Sequence, residues 1–153
     1  MYDWSLDTFL AALRAARVTT IVDVRQRRGV RGPEYAWANA KRLQAALAEA
    51  DVAYRHEPDL APTTELRRLQ YAEDDRQGVG KRSRTELAPE YARRFTEEIL
   101  DGVDLEPIAT ELASETAALL CVERDPEACH RSLVAARLAR DYGFRVTHLR
   151  PEG

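Results

Sequence analysis

Three short apolar runs, 18–24, 52–55 and 116–122, each end in polar side chains, and helical patterns separate them. This alternation constrains the fold more than any other feature of the chain. Val18 to Val24 is β-branched and reads as a buried strand. Val52 to Arg55 and Thr116 to Val122 read as two more, and Arg145 to Leu149 as a last one. Leu6, Phe9, Leu10 and Leu13 recur at helical spacing, which predicts a helix over about 6–16 with Ser5 or Asp7 as its cap. Further helices are expected over 37–50, 64–75, 89–100, 106–112 and 126–142, the last closed by Gly143. Strands alternating with helices predict an α/β fold: three layers, a mostly parallel sheet of four to five strands, and helices on both faces. The fifth strand would precede Leu6, where only Tyr2-Asp3-Trp4 stands.

In a parallel sheet the carboxyl ends of all strands share one edge, and ligands bind there. Asp23 and Arg25 end the first run, His56 and Glu57 follow the second, Glu123 ends the third, and His148 ends the last. Cys129 and His130 open the helix after the third. The topology therefore predicts that these distant polar groups meet at one rim.

At 153 residues the chain suits one domain with one core. Hydrophobic residues at 44% and charged residues at 32% give a folded, water-exposed composition. No apolar run is long enough to span a bilayer and no signal-peptide pattern opens the chain, so no membrane partner and a cytoplasmic location are expected. Two cysteines, Cys121 and Cys129, make no disulfide framework. The net charge of −3 excludes a general nucleic-acid binder. The charge is uneven, however. Arg25, Arg27, Arg28 and Arg31 cluster without an acid between them, and Lys81, Arg82 and Arg84 form a second group. Such loops on a mildly acidic protein suggest a discrete anion site, or solvated loops in the case of the second group.

The stretch Cys121-Val-Glu-Arg-Asp-Pro-Glu-Ala-Cys-His-Arg131 gathers a thiol, an imidazole, carboxylates and guanidinium groups at one strand-to-helix junction. Asp125-Pro126 has the form of a helix cap and first residue. Cys129 near a helix N-terminus beside His130 has two readings, a stabilised nucleophilic thiolate or a small apolar plug. On one continuous helix the Cys129 and His130 side chains would point about 100° apart. Asp23 has two readings as well, a cap for loop amides or a group orienting Arg25, Arg31 or a ligand hydroxyl. Tyr35 and Trp37 offer rings for stacking on a base, or a hydrophobic cover for the first crossover helix. Cys121, Glu123, Cys129 and His130 lack Cys-x-x-Cys spacing, so no metal set is assigned. The phosphate-loop, Gly-x-Gly-x-x-Gly and Gly-x-Ser-x-Gly motifs are absent, so no cofactor is expected.

Ile21-Val-Asp-Val-Arg25, Tyr54-Arg-His56 with Leu60, Leu119-Leu-Cys-Val-Glu123 and Cys129-His-Arg131 together resemble the domain of unknown function 488 family. The resemblance covers nearly the whole chain, and its cysteine element is the specific part. It implies a single compact α/β domain over residues 1–153 with its site at the rim described above. The sequence departs from the family pattern at its start, at Gln26-Arg-Arg-Gly-Val-Arg31 and at Ala61-Pro62. Asp-Val-Arg at a strand end is also similar to rhodanese-like domains, without their cysteine loop.

These features favour an enzyme acting on a phosphate-bearing small molecule, a nucleotide, or a nucleic-acid end. Glu123, His130 and Cys129 are the candidate catalytic groups. Asp23, Arg25, Arg31, Tyr35, Asn39, His56 and Arg131 are the candidate ligand-binding groups. A non-catalytic nucleotide- or anion-sensing module needs the same arginines without a titrating pair, and thiol chemistry at Cys129 is a third reading.

Overall fold

A computed structural model describes residues 1–151. Three strands form one parallel sheet in the order β2-β1-β3. These are β1 (Thr20–Asp23), β2 (Ala53–His56) and β3 (Ala117–Leu120). In register, Thr20 lies opposite Ala53 and Ala117, and Asp23 lies opposite His56 and Leu120. The central strand is buried along its whole length, with Ile21 and Val22 almost fully enclosed. Alternate residues of a strand face opposite sides, so both faces of β1 are covered. This explains why the run lacks polar alternation.

Six α-helices surround the sheet among the described residues: α1 (Leu6–Ala15), α2 (Ala40–Glu49), α3 (Thr64–Gln77), α4 (Pro89–Glu98), α5 (Glu106–Leu112) and α6 (His130–Tyr142). Ser5 caps α1. Its side chain accepts from the Thr8 amide while the Thr8 hydroxyl accepts from the Ser5 amide, a reciprocal capping box. Phe9 and Leu13 are the buried residues of that helix. Gly78 and Gly143 end α3 and α6 in the left-handed region, which glycine adopts without steric cost.

Three expectations are corrected. Residues 145–149 form no strand; Arg145, Val146, Thr147 and His148 are exposed, while Phe144 and Leu149 pack against the core. His148 therefore does not reach the rim, and the described residues hold three strands rather than four or five. Tyr2-Asp3-Trp4 forms no strand either, although the Tyr2 amide donates to Val122 O at 2.9 Å just beyond β3. Finally, the expected helix over 126–142 is broken. Pro126–Ala128 makes one tight 3-10 turn, Cys129 is extended (φ −136°, ψ 141°), and α6 begins at His130.

Candidate active site

Parallel pairing puts the carboxyl ends of β1, β2 and β3 on one edge, and a cavity of about 660 Å³ opens there. Residues following β1 (Arg25, Gln26, Arg27, Gly29, Val30 and Arg31) form part of its wall. Cys121, Val122 and Glu123, following β3, form another part, with His130 at the start of α6. Arg67, Gln70 and Tyr71 from α3 and the loop 80–84 complete it.

Asp23 and Arg25 form a buried unit beneath this cavity. Both residues are at most 2% exposed. Arg25 Nε donates to Asp23 Oδ1 at 2.9 Å and Nη2 to Oδ2 at 2.8 Å, a bidentate pair. Arg25 Nη1 donates to Ala38 O at 2.9 Å, and Tyr54 Oη donates to Asp23 Oδ2 at 2.6 Å. Asp23 thus holds Arg25 in place, and most of the Arg25 guanidinium is engaged by the protein. His56 Nε2 lies 2.9 Å from Arg25 O, outside the cavity wall.

Asn39 also serves the loop that carries Arg27, Arg28 and Arg31. Asn39 Oδ1 accepts from the Val30 amide at 2.7 Å, and the Ala40 amide donates to Arg28 O. Tyr35 is buried; its hydroxyl accepts from the Asp3 amide at 3.2 Å, and its ring lies under Arg82. Gly32 has a φ of +106°, a conformation that L side chains rarely adopt, so the loop favours glycine at that point. Trp37 packs on Phe9 with ring centroids 5.1 Å apart, as a hydrophobic cover. Arg131 donates to Glu123 O at 2.8 Å and Arg124 O at 3.2 Å, clamping the junction between β3 and α6. None of Asn39, Tyr35, Trp37 and Arg131 lines the cavity.

The second basic loop divides in two. Arg84 is buried and donates through Nε and Nη2 to Asp74, through Nη1 to Glu123 Oε1 at 3.3 Å, and to Ala128 O. Asp74 also accepts from Gln70 Nε2 at 2.9 Å, and Gln70 Oε1 accepts from the Ala88 amide. Lys81, by contrast, lines the cavity without an ion pair. The same holds for Arg27, Arg31 and Arg67; Arg67 is held by Gln26 and Tyr71, both neutral. Among the described residues, four cations of the wall have no acid partner. Glu123 is the one acid of the wall, and its Oε2 is buried with no hydrogen-bond partner. Burial, and then the neighbouring Cys129, push the Glu123 carboxyl above its usual range.

The break at Cys129 turns its side chain toward that of His130. His130 Nδ1 lies 3.8 Å from both Cys121 Sγ and Cys129 Sγ, and its Nε2 lies 2.8 Å from Val24 O. The three donor atoms are within 4.8 Å of one another and all three residues are buried. Burial pushes the Cys129 thiol up, but the hydrogen bond with Cys121 and the His130 charge outweigh it and favour a thiolate. The Cys121 thiol is held well above its usual range by that hydrogen bond and by burial. Burial lowers His130 and the Cys129 charge raises it, with a net rise. Cys129 is 1% exposed and does not line the cavity, whereas Cys121 and His130 do.

Residues 5–138 match the sequence pattern described as domain of unknown function DUF488. The chain belongs to the DUF488 family. No curated protein matches it, and no solved structure does. Among the described residues, no helix of this DUF488 protein is long and apolar enough to cross a membrane.

Of the candidate catalytic and ligand-binding residues, Arg25, Arg31, Glu123 and His130 meet in the cavity wall. Asp23 acts behind it on Arg25, Asn39, His56 and Arg131 act there on the backbone, and Cys129 reaches it through Cys121 and His130. Arg67 is absent from the sequence-based expectations, Lys81 and Arg84 stand there only as a basic cluster that could equally be a solvated loop, and Cys121 stands there only as part of the junction without a site role. A readable signal existed for Arg84. Leu66, Gln70 and Asp74 occupy one stripe of α3, and a stripe that turns from leucine to glutamine and aspartate calls for a buried polar partner.

Proposed function

We propose that this protein is an enzyme acting on a phosphate-bearing ligand, a nucleotide or a nucleic-acid end, in the cavity at the carboxyl edge of the sheet. One observation carries the reading: four unpaired cations, Arg27, Arg31, Arg67 and Lys81, face a cavity whose wall holds a single acid. Guanidinium groups suit phosphate because their planar fork donates two parallel hydrogen bonds to its oxygens. A volume of about 660 Å³ lies in the range of small-molecule sites. Tyr2 and Tyr71 add aromatic surface to the wall, suited to a base or sugar. Glu123 lines the same wall, and its buried Oε2 has no hydrogen-bond partner in the protein, which favours turnover over sensing alone. Reaction at the Cys129 sulfur is disfavoured by its enclosure.

A thermal-shift screen against nucleotides and short oligonucleotides tests the binding part, since a ligand held only by the folded state raises the melting temperature. The stabilising ligand is then offered to the Glu123→Gln variant. This variant is expected to keep the melting shift and to lose turnover by roughly two orders of magnitude or more. A panel with no stabilising phosphate compound refutes the reading. Unchanged turnover in the variant refutes the role of Glu123.

A further inference from the structure

Against the cavity wall lies a buried set of groups that phosphate binding does not use. Cys121 Sγ, Cys129 Sγ and His130 Nδ1 lie within 4.8 Å of one another, and each sulfur is 3.8 Å from the nitrogen. Sulfur and nitrogen ligands on a tetrahedral zinc ion, with bonds of about 2.3 and 2.0–2.1 Å, stand about 3.6 Å apart. The two sulfur–nitrogen separations are therefore within a few tenths of an ångström of a loaded site. His130 is oriented from behind, with Nε2 2.8 Å from Val24 O. A proton on Nε2 donated to that carbonyl leaves the Nδ1 lone pair aimed between the sulfurs, which is the outer hydrogen bond that metal-bound imidazoles make. The chain reaches this geometry because Cys121 is the first residue after β3 and Cys129 is the extended residue before α6. The spacing along the chain gives no hint of it, being far from Cys-x-x-Cys.

We propose that Cys121, Cys129 and His130 bind one divalent ion of the zinc class, leaving a fourth position open to the cavity beside Glu123. Two thiolates and an imidazole select zinc-like ions over magnesium or calcium, which prefer oxygen. Three protein ligands with an open fourth position are typical of reactive zinc centres, whereas structural ones are closed. Two of the three ligands, Cys121 and His130, line the cavity, with Glu123 in the same wall, so an ion held by the set is reachable from it. Glu123 stands outside the set of three, and its unpartnered Oε2 would accept a hydrogen bond from water on the ion. Binding of the ion is independent of the proposed reaction; occupation of the fourth position by a phosphate oxygen rests on it.

The test is a titration of the reduced, metal-free full chain with Co²⁺, followed by absorption. The expected result is one equivalent bound, with a thiolate-to-cobalt charge-transfer band and the intense visible bands of a four-coordinate ion, both abolished by Zn²⁺. Cys121→Ser and Cys129→Ser are each expected to lose the band or weaken Co²⁺ binding at least tenfold, with folding checked by circular dichroism. Glu123→Gln, outside the set, is expected to keep one equivalent. Should the cysteine variants unfold, the wild-type chain still decides the matter, because the charge-transfer band reports sulfur on the metal directly. A folded wild-type chain without that band, or a band unchanged in both folded cysteine variants, overturns the site. Inorganic phosphate added to the cobalt-loaded chain is expected to shift the visible bands, and unchanged bands overturn the open fourth position. Melting shifts with nucleotides on the metal-free chain separate this failure from failure of the phosphate-ligand reading.

Discussion

At the scale of single residues, Asp23 shows how a strand end becomes the base of a site. Its carboxylate is enclosed and receives two bonds from the Arg25 side chain and one from the Tyr54 hydroxyl. A buried ion pair adds little net stability over apolar packing, yet removing one partner leaves an uncompensated charge. Asp23→Ala is therefore expected to lower unfolding stability by about 3–5 kcal/mol, measured by urea denaturation. Replacing Arg25 by methionine in the same chain should recover part of that loss. Equal and additive losses in a double-mutant cycle would show that the pair is not a unit. Asp-Val-Arg at the end of an apolar run suggested a pair of this kind, but only the structure distinguishes an arginine held by its own aspartate from one offered to a ligand.

At the scale of elements, α3 supplies the polar support of the cavity. Gln70 links the Ala88 amide to Asp74, which in turn holds Arg84 against Glu123. Gln70→Leu leaves the buried Ala88 amide without its acceptor and is expected to cost about 1–3 kcal/mol, seen as a lower urea midpoint at unchanged slope. A variant as stable as wild type would show that the network does not restrain the loop. The sequence was legible where periodicity was strong. β1 and β3 fall inside their expected runs, β2 is shifted one residue past its run to end at His56, and α5 has its expected bounds. It misled at 145–149, because a short apolar run reads alike whether it pairs as a strand or packs irregularly over a core. It also misled at Cys129. Asp125-Pro126 has the chemistry of a helix start, but the turn it begins closes after Ala128, with the Cys129 amide donating to Pro126 O. That break, invisible to pattern, is what brings Cys129 and His130 to the same point.

At the scale of the whole molecule, the sign of the net charge and the sign of the site are opposite. The chain carries −3, while the wall of its cavity holds four cations without acid partners. Many of the remaining acids are matched on the surface by neighbouring arginines, such as Glu90 with Arg93 and Glu98 with Arg94. Exposed pairs of this kind contribute little to stability. Four of the cations left without an acid partner, Arg27, Arg31, Arg67 and Lys81, stand together in one concave region, where a field focuses on an incoming anion. Composition alone could not reveal this, because it sums charges that the fold keeps apart. The topology could, since parallel strands deliver the residues after β1 and β3 to one edge whatever their separation along the chain.

The central claim is that this edge is an anion site built from segments distant in sequence. Amide chemical-shift mapping of the isotope-labelled chain with inorganic pyrophosphate tests it most directly, at low salt and again at about 1 M salt, where the screening length falls to about 3 Å. The expected result is a saturable set of shifts confined to the loops around Arg27, Arg31, Lys81 and Glu123, weakened strongly at high salt. Shifts scattered over the helix surfaces, or none in those loops at saturating pyrophosphate, would contradict the account.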